Sequence, residues 1–111
     1  MEKLDFLIDY LIKENKEIDI KETPQNTNDK KRLYRSLCNI REPIPVSDEY
    51  IKIESEYLKE ENILKGIRDS ETITVFINYK GTQICLWKGD ITTLKIGAIV
   101  NAANSQGLGC F

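Results

Sequence analysis

No histidine occurs anywhere in this chain of 111 residues, so a metal site built from these side chains alone would lack an imidazole ligand. Its three cysteines, Cys38, Cys85 and Cys110, are an odd number without local pairing spacing, which excludes a disulfide framework. Charge of one sign is also missing: 16 basic side chains face 18 acidic ones, with a formal net charge of -2 and the signs interleaved along the first half. That balance argues against a nucleic-acid partner, which would call for a basic stripe. Long apolar runs are absent too. IGAIV, from Ile96 to Val100, is far too short to span a bilayer, and Met1 leads into an acidic amphipathic pattern rather than a basic and then hydrophobic signal. The expected setting is the cytoplasm, with no membrane partner.

The first half is written in helical period. Leu4, Leu7, Ile8, Leu11 and Ile12 fall at i, i+3, i+4, i+7 and i+8, and Phe6 and Tyr10 widen that apolar stripe. A polar connector, Lys21 to Asn28, can end this helix and cap the next, expected over about Asp29 to Ile40 with Leu33, Tyr34, Leu37 and Cys38 on one face. Pro43 and Pro45 forbid its continuation. Ser47 is placed to cap a third helix, with Asp48 and Glu49 in its first turn, a stripe of Tyr50, Ile51, Tyr57, Leu58 and Leu64, and an end before Gly66. The charged residues between read as a solvated face. Cys38 and Cys85 both read as small buried hydrophobes within apolar-periodic segments.

From Thr72 the period changes from helix to strand. ITVFINY, the turn signal KGT at Lys80 to Thr82, and QICLWK form a hairpin pattern in which Leu86 and Trp87 would pack a sheet. A short polar turn, ITTLK, precedes AIVNAA, a continuous apolar run of the kind that suits a central strand covered on both faces. The expectation is one mixed sheet over Thr72 to Ala102, with AIVNAA central and parallel to the strand ending at Lys88.

Two short motifs stand in register within LWKGDITTLKIGAIVNAANSQGLG: Gly89-Asp90-Ile91-Thr92, and Ala98 through Asn104. Together they resemble the opening of a macrodomain, the ADP-ribose-binding α/β/α module, with GDIT at the end of an early strand and AIVNAAN on the next. Gly97 departs from the family, which often has an aspartate there. The segment LCNIREPIPVSDEYIKIESEYLKEE ahead of these motifs narrows the resemblance to the microbial zinc-dependent macrodomain proteins that remove ADP-ribose from modified protein side chains. The fold class so implied is α/β: a helical extension of about three helices over residues 1–70, then the first strands of a three-layer α/β/α macrodomain over residues 71–111, incomplete.

The resemblance also assigns roles. Asp90 would accept a hydrogen bond from the adenine amine while the backbone N–H of Ile91 meets a ring nitrogen. Ala102 would let the ligand approach the main chain, and Asn104 would face the distal ribose at the catalytic position. Gly107 and Gly109 could present N–H groups to an anion. Cys110 would be the first of three zinc ligands, the subgroup completing its site with a histidine and a second cysteine that this chain lacks. ADP-ribose or an ADP-ribosylated protein is the implied partner, and zinc the implied cofactor of the complete relative. The 111 residues themselves are expected to stop inside the site and to be inactive without zinc.

Bland readings stand beside these. A strand-end aspartate such as Asp90 commonly caps the turn that follows it, and two glycines in a loop are commonly just a turn. The alternatives to a hydrolase are a non-catalytic ADP-ribose reader and a helical protein-interaction module.

Overall fold

A computed structural model of the chain describes residues 2–73 and 76–107. Among the described residues three helices come first, α1 (Glu2–Glu14), α2 (Thr27–Ile40) and α3 (Asp48–Lys65), followed by four short strands, β1 (Arg68–Asp69), β2 (Ile77–Tyr79), β3 (Thr82–Ile84) and β4 (Leu94–Lys95). The fold is mixed α/β. It divides into two compact units, residues 1–61 and residues 62–111. No helix among the described residues is long and apolar enough to cross a membrane.

The helical unit is built on the stripe of α1. Leu4 and Leu7 are fully buried, and Ile8 and Leu11 nearly so, because spacings of three and four residues put them on one side of a 3.6-residue period. Tyr34 and Leu37 of α2 and Tyr50 and Tyr57 of α3 close over them, with Phe6, Tyr10, Ile12 and Leu33 packed around the edge. Aromatic contacts lock the helices at defined angles: Tyr34 and Tyr57 meet edge to face at 5.6 Å, and Tyr10 and Tyr50 at 4.7 Å. The expected caps are present. Asn26 Oδ1 accepts the amide of Asn28 at 2.8 Å to open α2, and Ser47 Oγ accepts that of Tyr50 at 3.1 Å to open α3. Gly66 ends α3 at a φ of +93°, its N–H donating to the carbonyls of Asn62 and Ile63, both at 3.1 Å; the left-handed conformation is one that a side chain would resist.

Ion pairs join the helices at their solvent-facing margins. Lys30 meets Asp5 at 2.7 Å, Lys31 meets Glu61 at 2.9 Å, and Lys3 pairs with Glu60. The stripe expected on α3 holds only at Tyr50 and Tyr57. Ile51 and Leu58 are exposed, at 53% and 46%, because the buried face follows Tyr50, Ile53 and Tyr57 at i, i+3 and i+7, about a hundred degrees away from them; Leu64, near the helix end, is 79% exposed. Cys38 corrects a second expectation: it is exposed, one residue round from the buried Leu37, and Cys85 is half-buried.

In the second unit the hairpin is present, with Ile77 opposite Ile84 and Tyr79 opposite Thr82 in antiparallel register. Its two-residue turn has φ of 50° at Lys80 and 84° at Gly81, and positive values at both central positions are the type I′ signature that matches strand twist. Among the described residues the single mixed sheet is not formed; there are two separate pairs, β2 with β3 and a parallel pair of β1 with β4. Parallel pairing therefore joins Arg68–Asp69 to Leu94–Lys95, not AIVNAA to the strand ending at Lys88. Residues 98–103 form no strand, and Val100 is 97% exposed. A central strand exists only through neighbours on both edges, and the described residues supply neither. Leu86, expected to pack a sheet, is 99% exposed, whereas Trp87 is half-buried.

Candidate functional site

The parallel pair explains how the GDIT turn is positioned. Arg68 pairs with Leu94 and Asp69 with Lys95. Parallel register brings what precedes each strand to the same end, so the last turn of α3, ahead of β1, meets the turn at Asp90, ahead of β4. Lys65 Nζ lies 3.1 Å from Asp90 Oδ2, a contact spanning 25 positions of sequence.

Asp90 opens a 3-10 turn, Ile91–Thr93. Its Oδ1 accepts the Thr92 amide at 3.0 Å and the Thr92 hydroxyl at 2.6 Å, while its main-chain carbonyl accepts the Thr93 hydroxyl, also at 2.6 Å. Asp69 does much the same at the end of β1, accepting the Glu71 amide at 3.3 Å. Capping is thus one established role of Asp90. The Thr92 hydroxyl and amide, with the Lys65 ammonium, hold its carboxyl below the usual carboxylate range, down to about 2. The group is therefore ionised at neutral pH. A carboxylate has about four acceptor positions, two on each oxygen. Oδ1 takes two donors and Oδ2 one, so among the described residues one position on Oδ2 is left for an outside donor.

Trp87 and Gly89 form the approach to this turn. A Cβ built on Gly89 would lie 2.3 Å from Cη2 and 2.7 Å from Cζ2 of Trp87, so the indole ring occupies the space that a side chain would need. The glycine of GDIT leaves the ring its room. Gly89→Ala should displace the indole, and because Trp87 is the only tryptophan, the emission maximum reports it directly. A shift in emission with little change in melting temperature is the expected outcome; an unchanged spectrum would remove the packing role.

The remaining site residues stand on the next segment. Ala102 and Asn104 lie in an exposed, irregular stretch. Asn104 organises a turn: its Oδ1 accepts the Gln106 amide at 3.1 Å, and its carbonyl accepts the N–H of Gly107, also at 3.1 Å. Gly107 has a φ of +67°, the conformational freedom its residue type supplies. Gly109 and Cys110 lie outside the described residues, and within the described ones no group of three His, Cys, Asp or Glu side chains could hold a metal ion. A concavity of about 230 Å³ in the helical unit, lined in part by Leu11, Glu14, Leu37, Ile40 and Arg41, contains none of the sequence-predicted site residues. Its one guanidinium, Arg41, is engaged by Glu14 at 2.5 Å and the Ile44 carbonyl at 2.7 Å.

Thr92 and Lys65 are the contributors that sequence reasoning missed. Thr92 was visible as part of GDIT, since a hydroxyl two residues after an aspartate is a common turn partner. Lys65 carries no local signal at all.

No family model matches the chain. Individual relatives do. It is 42% identical over 110 residues to a protein from Staphylococcus aureus named protein-ADP-ribose hydrolase, and 40% identical over 109 residues to one of the same name from Treponema medium. A 97-residue alignment at 36% identity joins it to a Fusarium oxysporum f. sp. cubense protein named "Probable bifunctional ADP-ribose hydrolase/ADP-ribosyltransferase". These alignments take in 97%, 96% and 77% of this chain. The chain spans 39% of the Staphylococcus relative, 41% of the Treponema relative and 15% of the Fusarium relative. Over almost its whole length it is therefore a homologue of part of the protein-ADP-ribose hydrolases.

Proposed function

We propose that this homologue of the protein-ADP-ribose hydrolases carries the adenine-facing and ribose-facing opening of a macrodomain-type ADP-ribose site, and that the whole protein acts in the cytoplasm to release ADP-ribose from modified proteins. The observation that carries the reading is the state of Asp90: an ionised carboxylate, fixed by Thr92 and Lys65, with an acceptor position on Oδ2 left over. An adenine amine is a donor that fits that position, and a carboxylate acceptor makes a stronger bond than a neutral one. In this reading the Ile91 N–H meets the adjacent ring nitrogen, Ala102 permits close approach, and Asn104, at the turn it organises, binds the distal ribose beside the scissile bond.

Zinc belongs to the proposal for the complete protein only. Cys110 would supply one thiolate, yet catalytic zinc needs about three protein ligands, and the chain has no histidine to add. The residues present do not make that site.

Asp90→Asn tests the adenine contact without disturbing the turn, because the amide oxygen can still cap Thr92 while the nitrogen replaces an acceptor with a donor facing the amine. Calorimetric titration of the protein with ADP-ribose should show affinity falling by roughly tenfold or more, the worth of a charge-assisted hydrogen bond. Equal affinities would leave Asp90 as a cap and nothing else.

A further inference from the structure

We infer that Lys65, in the last turn of α3, is a positioning residue for the Asp90 carboxylate, setting the direction of the oxygen that receives the adenine amine. The inference rests on reading the Asp90 turn as the adenine contact. Of the two carboxylate oxygens, Oδ1 is taken up by the amide and hydroxyl of Thr92. Oδ2 alone can meet a ligand, and its one partner among the described residues is the Lys65 ammonium, at 3.1 Å. Thr92 fixes one end of the group; Lys65 fixes the other. With both in place, rotation of the carboxylate about its Cβ–Cγ bond is restrained, which favours one direction for the open acceptor position on Oδ2 before the ligand arrives.

The placement is built into the fold. Register between β1 and β4 puts the end of α3 beside the turn, and Gly66 stops the helix one residue after Lys65, so the lysine occupies the last helical position. Both side chains are about half exposed, at 48% and 47%. Exposed pairs contribute little to stability. The pairing is thus poorly explained as a fold-holding device, and removing it should leave folding intact while changing what Asp90 offers a ligand.

A double-mutant cycle in the full protein tests this. Lys65→Met should weaken ADP-ribose binding by about fivefold with the melting temperature unchanged, and Lys65→Arg, which keeps a cation able to reach Oδ2, should restore it to within about twofold. Because Lys65 acts through Asp90, Lys65→Met added to Asp90→Asn should cost nothing further. In the ligand-free protein, the Asp90 carboxyl carbon followed by NMR should stay charged down to about pH 3, and should begin to protonate earlier in Lys65→Met, with Thr92 still supplying the larger share of the depression. Additive losses would mean that Lys65 touches the ligand itself, and unchanged affinity in Lys65→Met would mean that Thr92 suffices; either overturns the inference. Absence of ADP-ribose binding in the unmutated protein, with the NMR response to Lys65→Met still present, would sink the functional reading and the positioning role with it, while leaving the ion pair as measured.

Discussion

Replacing Leu7 by alanine should remove about 2–5 kcal/mol from the stability of the helical unit, the range for truncating a buried leucine. Leu7 has no exposed surface and sits at the centre of the α1 stripe, between Leu4 and Leu11 and against the tyrosines of α2 and α3. The unit of 61 residues has a small core, and a domain of that size is marginally stable, so a loss of this order is a large fraction of the total. Thermal denaturation followed by circular dichroism at the helical band should show the midpoint falling by roughly 10 °C or more. Ile51→Ala is the matched control: Ile51 is 53% exposed on α3, so its truncation should change stability by no more than about 0.5 kcal/mol. Equal effects at the two positions would mean that the core is not where α1 places it.

Stability should also fall steeply in alkali. Tyr34 and Tyr50 are 8% and 4% exposed, and both phenols donate to Oε2 of Glu54, at 2.5 and 2.8 Å. Burial first, and then the carboxylate of Glu54, pushes both well above the ordinary phenol range; burial and the nearby Glu61 raise Tyr57 as well. In the unfolded chain these phenols ionise near pH 10, while in the folded chain they keep their protons. Above about pH 10 the unfolded state therefore binds fewer protons than the folded one, and each such tyrosine lowers folding stability by about 1.4 kcal/mol per pH unit. The stabilisation is fully present below pH 10 and is lost as the pH climbs towards the folded values. At about pH 11 Tyr34 and Tyr50 together withdraw about 2–3 kcal/mol. Urea unfolding at a series of pH values should give that slope, and Tyr34→Phe should reduce it by one proton. A flat profile up to pH 12 would show that the phenols reach solvent.

The sequence alone determined the elements whose signals are local. Period and capping residues set α1, α2 and α3: a stripe at three and four residues, Asn26 and Ser47 before the helices, prolines after α2 and Gly66 after α3. Lys80-Gly81 likewise set a two-residue hairpin, since the turn type needs positive φ that glycine supplies without strain. The capping role of Asp90 was legible in the sequence, because side-chain-to-backbone bonds reach only two or three positions, whereas the turn at Asn104 was not read from it. Tertiary structure decided whatever depends on a distant partner. Which side of α3 is buried was settled by the tyrosines meeting α1 and α2, and the charges between helices found partners that no window of sequence contains. AIVNAA had the composition of a central strand, but a strand is a relation between hydrogen-bonded neighbours, and with none among the described residues it forms no strand and lies exposed. Lys65 and Asp90, 25 positions apart, met only because β1 and β4 run parallel and bring their preceding turns to one end.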